Sequence, residues 1–252
     1  MSKPAASTLA SVVTFLRSIF FTIPIIVIAT LVLGAAAIVA SLGSRGSRTP
    51  KRCATLWARM VLAASFVRIR VSGVDKLAPS VPRVICVNHL SYMDPPLLLA
   101  CLPGRVRFLA KRSLFRIPVF GWAMRCAGHL PLDRENPRRA IKDLERAAAA
   151  LHAGDSIVIF AEGGRSPDGT LQAFLSGGFR LAIENRVPVV PVAIAGTREV
   201  LRPGSIHICG GEAQVAIGDP LPTVGLTPRD RHHLAARARE AIEKLSEGGG
   251  QT

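Results

Sequence analysis

The chain has 252 residues, 49% hydrophobic and 19% charged, and carries a formal +15 from 32 Lys and Arg against 17 Asp and Glu. Such an apolar composition, with a mean hydropathy of +0.33, excludes a disordered chain, and the length excludes a multidomain machine. The excess of positive charge points to an anionic partner, nucleic acid or a membrane.

The first predicted element is apolar and cationic at its flanks. No acidic residue precedes Asp75, while nine basic ones do, and residues 18–44 carry no charge at all. At ~1.5 Å per residue a helix of that length reaches about 40 Å, beyond the ~30 Å hydrocarbon core of a bilayer. Pro24 and Gly34 interrupt the run, so it either crosses the bilayer or divides into two shorter helices within one leaflet. A buried core helix or a signal-like segment is the alternative, although a cleaved signal has a shorter apolar run and an earlier charge than Arg17. Arg45, Arg48, Lys51 and Arg52 follow, where juxtamembrane cations meet an anionic leaflet. Residues 1–52 are therefore expected to form a membrane-associated helical segment with a basic flank. The expected location is the cytosolic face of a membrane, the inner membrane for a bacterial chain.

Residues 53–247 read as one α/β domain, and 248–252 as a flexible tail. The pattern predicts a helix over 54–66, strands over 67–71 and 81–87, helices over 95–101 and 117–127, and an extended stretch over 128–132. An Ala-rich helix follows over 137–152, then a strand over 155–160, a helix over 178–185 and a strand over 188–194. Two further strands, 206–209 and 214–217, precede a helix from about 229 to 245. The alternation predicts a mixed, largely parallel sheet flanked by helices on both faces. The five cysteines, Cys53, Cys86, Cys101, Cys126 and Cys209, lack any CxxC pair, so a structural role in a reducing compartment fits better than a disulfide framework or a zinc site.

Chemistry concentrates at two strand ends. Asn88-His89-Leu90-Ser91-Tyr92-Met93-Asp94-Pro95 follows an apolar strand. On a regular helix His89 and Asp94 would lie about 140° apart, so they meet only across a turn, which Pro95 supplies. Asp94 then reads as the N-cap of the next helix, its carboxylate turning back to one ring nitrogen of His89 and leaving the other free as a general base. Taken alone, the pair is better read as a capping Asp beside an ordinary hydrogen-bonded surface His. Phe160-Ala161-Glu162-Gly163-Gly164-Arg165-Ser166 also follows a strand, and joins two glycines to an Arg fork suited to phosphate. Ser91 lacks the surroundings of a nucleophile, Asp168-Gly169 reads as a turn, and His129 has no motif partner. His152, His207, His232 and His233 read as surface histidines, and the aromatic-poor surface excludes a single-strand nucleic-acid platform.

Together these motifs resemble the glycerolipid acyltransferases of the 1-acylglycerol-3-phosphate acyltransferase type. Asn88, His89 and Asp94 match an N-H-x4-D motif, and Phe160, Glu162, Gly163, Arg165 and Ser166 match F-P-E-G-T-R-S, with Ala161 and Gly164 departing from it. Three further stretches match in order: the one opening Lys111-Arg112-Ser113-Leu114-Phe115, the one closing Leu132-Asp133-Arg134, and the Val187 to Val192 strand. The usual K-x-G is lacking at Leu175-Ser176-Gly177-Gly178. The resemblance spans roughly residues 55–220.

It implies the glycerolipid acyltransferase fold and transfer of a fatty acyl group from acyl-CoA or acyl-carrier protein to the sn-2 hydroxyl of lysophosphatidic acid, giving phosphatidic acid, with no metal or cofactor. His89 would be the base and Asp94 its orienting partner. Arg165 would bind the phosphate, with Lys111 and Arg134 either joining it or remaining solvated charges. Glu162, beside Gly163, would orient the loop or a glycerol hydroxyl. Another lyso-acceptor, such as a lyso-ornithine lipid, and a non-catalytic protein binding anionic lipid are the alternatives.

Overall fold

The computed structural model describes residues 4–43, 49–78 and 81–248. Arg45 and Arg48 of the expected basic flank, and most of the expected tail, lie outside the described residues. The chain opens with α1 (Pro4–Arg17), a wide π-turn over Ser18–Thr22, and α2 (Ile23–Gly43). Neither Pro24 nor Gly34 divides this helix. Pro24 has no N–H to bond the carbonyl one turn back, and the widened turn just ahead of it accommodates the ring without a break. Gly34 serves close approach instead: a Cβ there would stand 2.7 Å from Cγ1 of Val119.

One side of the continuous helix from α1 through α2 is fastened to the domain along its length. Arg17 donates to the carbonyl oxygens of Ile208 and Cys209, Thr22 to that of Ala64, and the Trp57 indole to Thr30 Oγ1. The opposite side is apolar and bare, with Phe20, Ile28, Val32, Val39 and Leu42 all exposed. His207, expected as a surface residue, packs edge-on against Phe15 of α1.

The domain itself comprises α3 (Thr49–Ala64), β1 (Val67–Ser72), β2 (Val84–Val87), α4 (Asp94–Cys101), β3 (Val106–Lys111), α5 (Phe120–Cys126) and β4 (Leu130–Leu132). It continues through α6 (Pro137–His152), β5 (Ser156–Phe160), α7 (Gly177–Glu184), β6 (Val189–Ala195), α8 (Thr197–Val200), β7 (Gly211–Ile217) and α9 (Arg231–Gly248). The strands form one seven-stranded sheet in the order β1-β7-β6-β2-β5-β3-β4, parallel throughout except where β6 meets β7. This is the mixed, largely parallel sheet that the alternation predicts. The central β2 is apolar at every position because both faces are covered. Pro191 stands at the end of the β6–β7 pairing, where its missing N–H faces Gly218 just past β7 and its carbonyl still accepts the Gly218 N–H at 2.9 Å.

Helices α6, α7 and α9 cover one face around Leu151, Phe179, Leu181 and Ile242, while α3 and α4 cover the other around Leu62, Leu97 and Leu98. Each such fully buried side chain contributes about 1.5–3 kcal/mol relative to exposure.

The expected strand at 206–209 does not form. The Ile208 backbone instead bonds two side chains of the N-terminal helix: its N–H donates to Ser18 Oγ, and its carbonyl accepts from Ser18 and Arg17. The segment is thus bound by the helix and withheld from the sheet.

Candidate active site

Three neighbouring strands, β5, β2 and β6, end together at one edge of the sheet, where open α/β sheets place their ligands. At the end of β2, Asn88 bridges to β6: its amide donates to the Ile194 carbonyl at 2.9 Å and accepts from the Ile194 N–H at 2.7 Å. That double bond stands in for a sheet ladder and lets the chain turn out of the strand at His89.

The His89 ring is fixed on two sides. Nδ1 lies 2.7 Å from Asp94 Oδ2, and the ring stacks on Phe160 at 4.0 Å between centroids. Asp94 is fully buried, and the same Oδ2 accepts the N–H groups of Leu90 at 2.7 Å and Ser91 at 2.9 Å. Its Oδ1 accepts the Thr197 hydroxyl at 2.5 Å. The expectation that Asp94 is an N-cap is corrected here: it is the first residue of α4, Met93 occupies the cap position, and Pro95 follows within the first turn. Proline at the helix start removes N–H groups that would need a cap, so the carboxylate is free to face back toward residues 89–91. With Nδ1–H held by a carboxylate, Nε2 keeps its lone pair available as a base. Ser91 is buried and its hydroxyl donates to the Leu201 carbonyl, a structural use.

The loop after β5 supplies the second part. Glu162 faces backbone: Oε1 accepts the His89 N–H at 2.7 Å and Oε2 the Gln172 N–H at 2.8 Å. Burial raises its pKa above the usual carboxylate value, and these two N–H bonds pull it back. Gly163 adopts φ +74°, a left-handed conformation that favours glycine, while a Cβ there would meet only the terminal Cδ1 of the exposed Leu175. The Ser166 N–H donates to the His89 carbonyl at 2.7 Å, stitching this loop to the β2 turn. Arg198 of α8 clamps it from outside, donating to the carbonyls of Ser166 and Pro167. The expected turn at Asp168-Gly169 is present, with Gly169 at φ +94°.

A cavity of about 750 Å³ opens at His89 and runs beneath Phe108, Met124 and His129 to Thr30, Gly34 and Trp57 of the N-terminal helices. It is mostly apolar, which fits a chain-like ligand better than a compact polar one. Lys111, Arg134 and Arg165 also line it, together with Glu135. Among the described residues none of the three cations pairs with a carboxylate, and Arg165 Nη1 is buried without a hydrogen-bond partner. The structure therefore brings His89, Gly163, Lys111, Arg134 and Arg165 to one cavity, with Asp94 and Glu162 directly behind the His89 turn.

Sequence reasoning missed Thr197, whose contact with Asp94 joins residues 103 apart in the chain. It also left His129 without a role. That imidazole is buried against Phe108, accepts the Phe108 N–H at Nδ1, and is pushed down to about 4 by burial, with Arg107 and Lys51 adding to the effect. Its folded pKa lies below the unfolded value near 6.5, so its contribution is fully present above pH 6.5 and is lost as pH falls toward 4. Between pH 7 and 4.5, wild type is expected to lose about 2–3 kcal/mol more stability than His129→Gln. Denaturant titrations of both proteins in detergent at the two pH values check this difference.

The acyltransferase family model matches residues 68–195, half of the chain. A chloroplastic 1-acyl-sn-glycerol-3-phosphate acyltransferase of Arabidopsis thaliana is 37% identical over 170 residues, covering 67% of this chain and 47% of its own length. The human 1-acyl-sn-glycerol-3-phosphate acyltransferase alpha is 34% identical over 177 residues, covering 70% of this chain and 62% of its own. The chain thus spans about half of the length of the plant relative and somewhat more of the human one. The crystal structure of the 1-acyl-sn-glycerophosphate acyltransferase PlsC from Thermotoga maritima shares the fold, with a TM-score of 0.76, 24% identity, and coverage of 95% of this chain and 97% of that one.

Proposed function

Because the chain belongs to the acyltransferase family, we propose that it moves a fatty acyl group from a thioester donor, acyl-CoA or acyl-carrier protein, to the sn-2 hydroxyl of 1-acylglycerol 3-phosphate, forming phosphatidic acid. The observation that carries the acceptor choice is the set of uncompensated cations, Lys111, Arg134 and Arg165, lining an apolar cavity whose edge holds His89. An anionic head and a long chain on one molecule would satisfy both halves of the site. A lyso-ornithine acceptor has no phosphate to offer those cations.

In the proposed reaction His89 Nε2 takes the acceptor's hydroxyl proton as the oxygen attacks the thioester carbonyl. The ester C–O bond forms, the C–S bond breaks, and the imidazolium returns its proton to the departing thiolate. Asp94 keeps the ring in the productive tautomer and stabilises the imidazolium between those steps. Glu162 holds the His89 backbone and the loop of Arg165 in register. No covalent acyl-enzyme is needed.

The bare side of the N-terminal helix is proposed to lie in one leaflet of an anionic membrane, at its cytosolic face. The stretch Ser11–Gly43 is long and apolar enough to cross, but contacts run from Arg17 to Gly34, so an upright crossing would draw polar parts of the domain into hydrocarbon. An in-plane helix instead places the cavity mouth where acceptor and product already reside.

The test is an acyl-transfer assay in detergent with lysophosphatidic acid and long-chain acyl-CoA, following free thiol. Arg165→Ala is expected to raise the apparent KM for lysophosphatidic acid about 10- to 150-fold, as loss of charge-assisted hydrogen bonds predicts, while the thioester KM changes little. An unchanged acceptor KM would remove Arg165 from the phosphate site. A wild-type protein inactive with both CoA and carrier-protein donors would overturn the activity itself.

A further inference from the structure

We propose that Tyr92 sets acceptor specificity at this site, by holding the Arg165 guanidinium flat against its ring so that the fork's free edges meet the acceptor's phosphate. This rests on the acyltransferase reading above and concerns how the site separates a phosphate-bearing acceptor from an uncharged one.

Tyr92 is the only tyrosine in the chain. Its neighbours Ser91 and Met93 are turned inward and buried, which leaves Tyr92 as the outward residue of the turn, 56% exposed and lining the cavity. Among the described residues one cation stands over the ring: Arg165 Cζ lies 3.5 Å from its centroid, well inside the ~6 Å limit for a cation over an aromatic face. Arg165 has no carboxylate and no hydrogen-bond partner among the described residues, and its Nη1 is buried without one.

A guanidinium presents five N–H donors around its rim and none on its face. Stacking engages the face alone. Tyr92 can therefore orient the group and exclude water from one side while sparing every donor, which a carboxylate partner could not do. Bidentate capture of a phosphate depends on such a fixed fork, and ordering a long side chain before the ligand arrives spares that loss on binding. The two partners also come from different strands. Tyr92 belongs to the β2 turn that carries His89 and Asp94, and Arg165 to the β5 loop, whose Gly163 and Gly164 offer no side chain to hold it. The stack consequently ties the phosphate-binding fork to the frame of the base. Tyr92 is a positioning residue in this scheme, and the contacts with phosphate remain those of Arg165.

The test measures acyl transfer by Tyr92→Leu and Tyr92→Phe in detergent, with lysophosphatidic acid or monoacylglycerol as acceptor. Tyr92→Leu is expected to raise the KM for lysophosphatidic acid about 2- to 30-fold, the range of cation–ring contacts from exposed to desolvated, with kcat within about threefold and the monoacylglycerol KM little changed. Tyr92→Phe, which keeps the ring face, should restore the acceptor KM. In an Arg165→Ala background Tyr92→Leu should add nothing, since both remove the same interaction. Equal loss with both acceptors, no rescue by Phe, or additive losses would overturn the proposal. The thermal shift produced by lysophosphatidic acid relative to monoacylglycerol reads the same contact without turnover. If wild type transfers no acyl group, the acyltransferase reading fails, while a lysophosphatidic acid shift lost in Tyr92→Leu and kept in Tyr92→Phe supports the Tyr92 assignment, and a shift unaffected by Tyr92→Leu overturns it.

Discussion

His89→Ala is expected to lower kcat for acyl transfer by about 10²–10⁴-fold, the usual contribution of a positioned general base. A hydroxyl is a weak nucleophile until its proton has somewhere to go, and among the residues at the cavity mouth only His89 combines a free ring nitrogen with a buried carboxylate behind it. The substitution is also structurally mild. Asp94 keeps its bonds from Leu90, Ser91 and Thr197, so the turn that sets the mouth of the cavity persists. Single-turnover rates with saturating lysophosphatidic acid, read beside the thermal midpoint, separate lost chemistry from lost structure. A variant that keeps more than a tenth of the rate with an unchanged midpoint would remove His89 as the base.

Asp94→Asn is the second large effect, and it isolates charge from geometry. Asn can place its carbonyl oxygen where Oδ2 now accepts from Leu90, Ser91 and His89, and its NH2 where Oδ1 now meets the Thr197 hydroxyl, which can accept in turn. The fold should survive, yet the negative charge that stabilises the imidazolium is gone. The expected fall in kcat is about 10³–10⁴-fold, comparable to loss of the orienting carboxylate in other His–Asp pairs. Asp94→Ala should differ by unfolding readily, because donors of Leu90, Ser91 and Thr197 would be orphaned in a fully buried place at about 1–3 kcal/mol each. Equal rates for Asp94→Asn and wild type would reduce the carboxylate to a structural tie.

The order of elements was largely legible because their causes are local. Helix α6 announces itself through Asn136, whose side chain accepts from the Arg139 N–H, and the Pro137 that follows, and β2 and β5 through short apolar runs covered on both faces. The His89 and Asp94 pair was legible for the same reason, since one turn closes it. What escaped the sequence depends on distant partners. Strand β3, Val106–Lys111, mixes apolar and basic residues and becomes a strand only by lying beside β5 and β4. The 206–209 stretch has strand composition, but the backbone groups of Ile208 bond Ser18 and Arg17, some 190 residues earlier, and the Cys209 N–H bonds the Val200 carbonyl. Thr197 and the Tyr92 stack are set by the meeting of β2, β5 and β6, which no local spacing encodes.

The apolar helix α2 carries the bare surface proposed to meet the membrane and is also a wall of the cavity, through Thr30, Leu33, Gly34 and Ala37. Anchor and container are therefore one part, and neither can be exchanged alone. Grafting a foreign amphipathic helix onto residues 53–248 would restore attachment to lipid yet leave the cavity open on that side, whereas changes confined to Phe20, Ile28 and Val32 would retune attachment with the interior untouched. A single edge of one helix thus divides the positions that are free to drift with lipid composition from those held by the shape of the cavity.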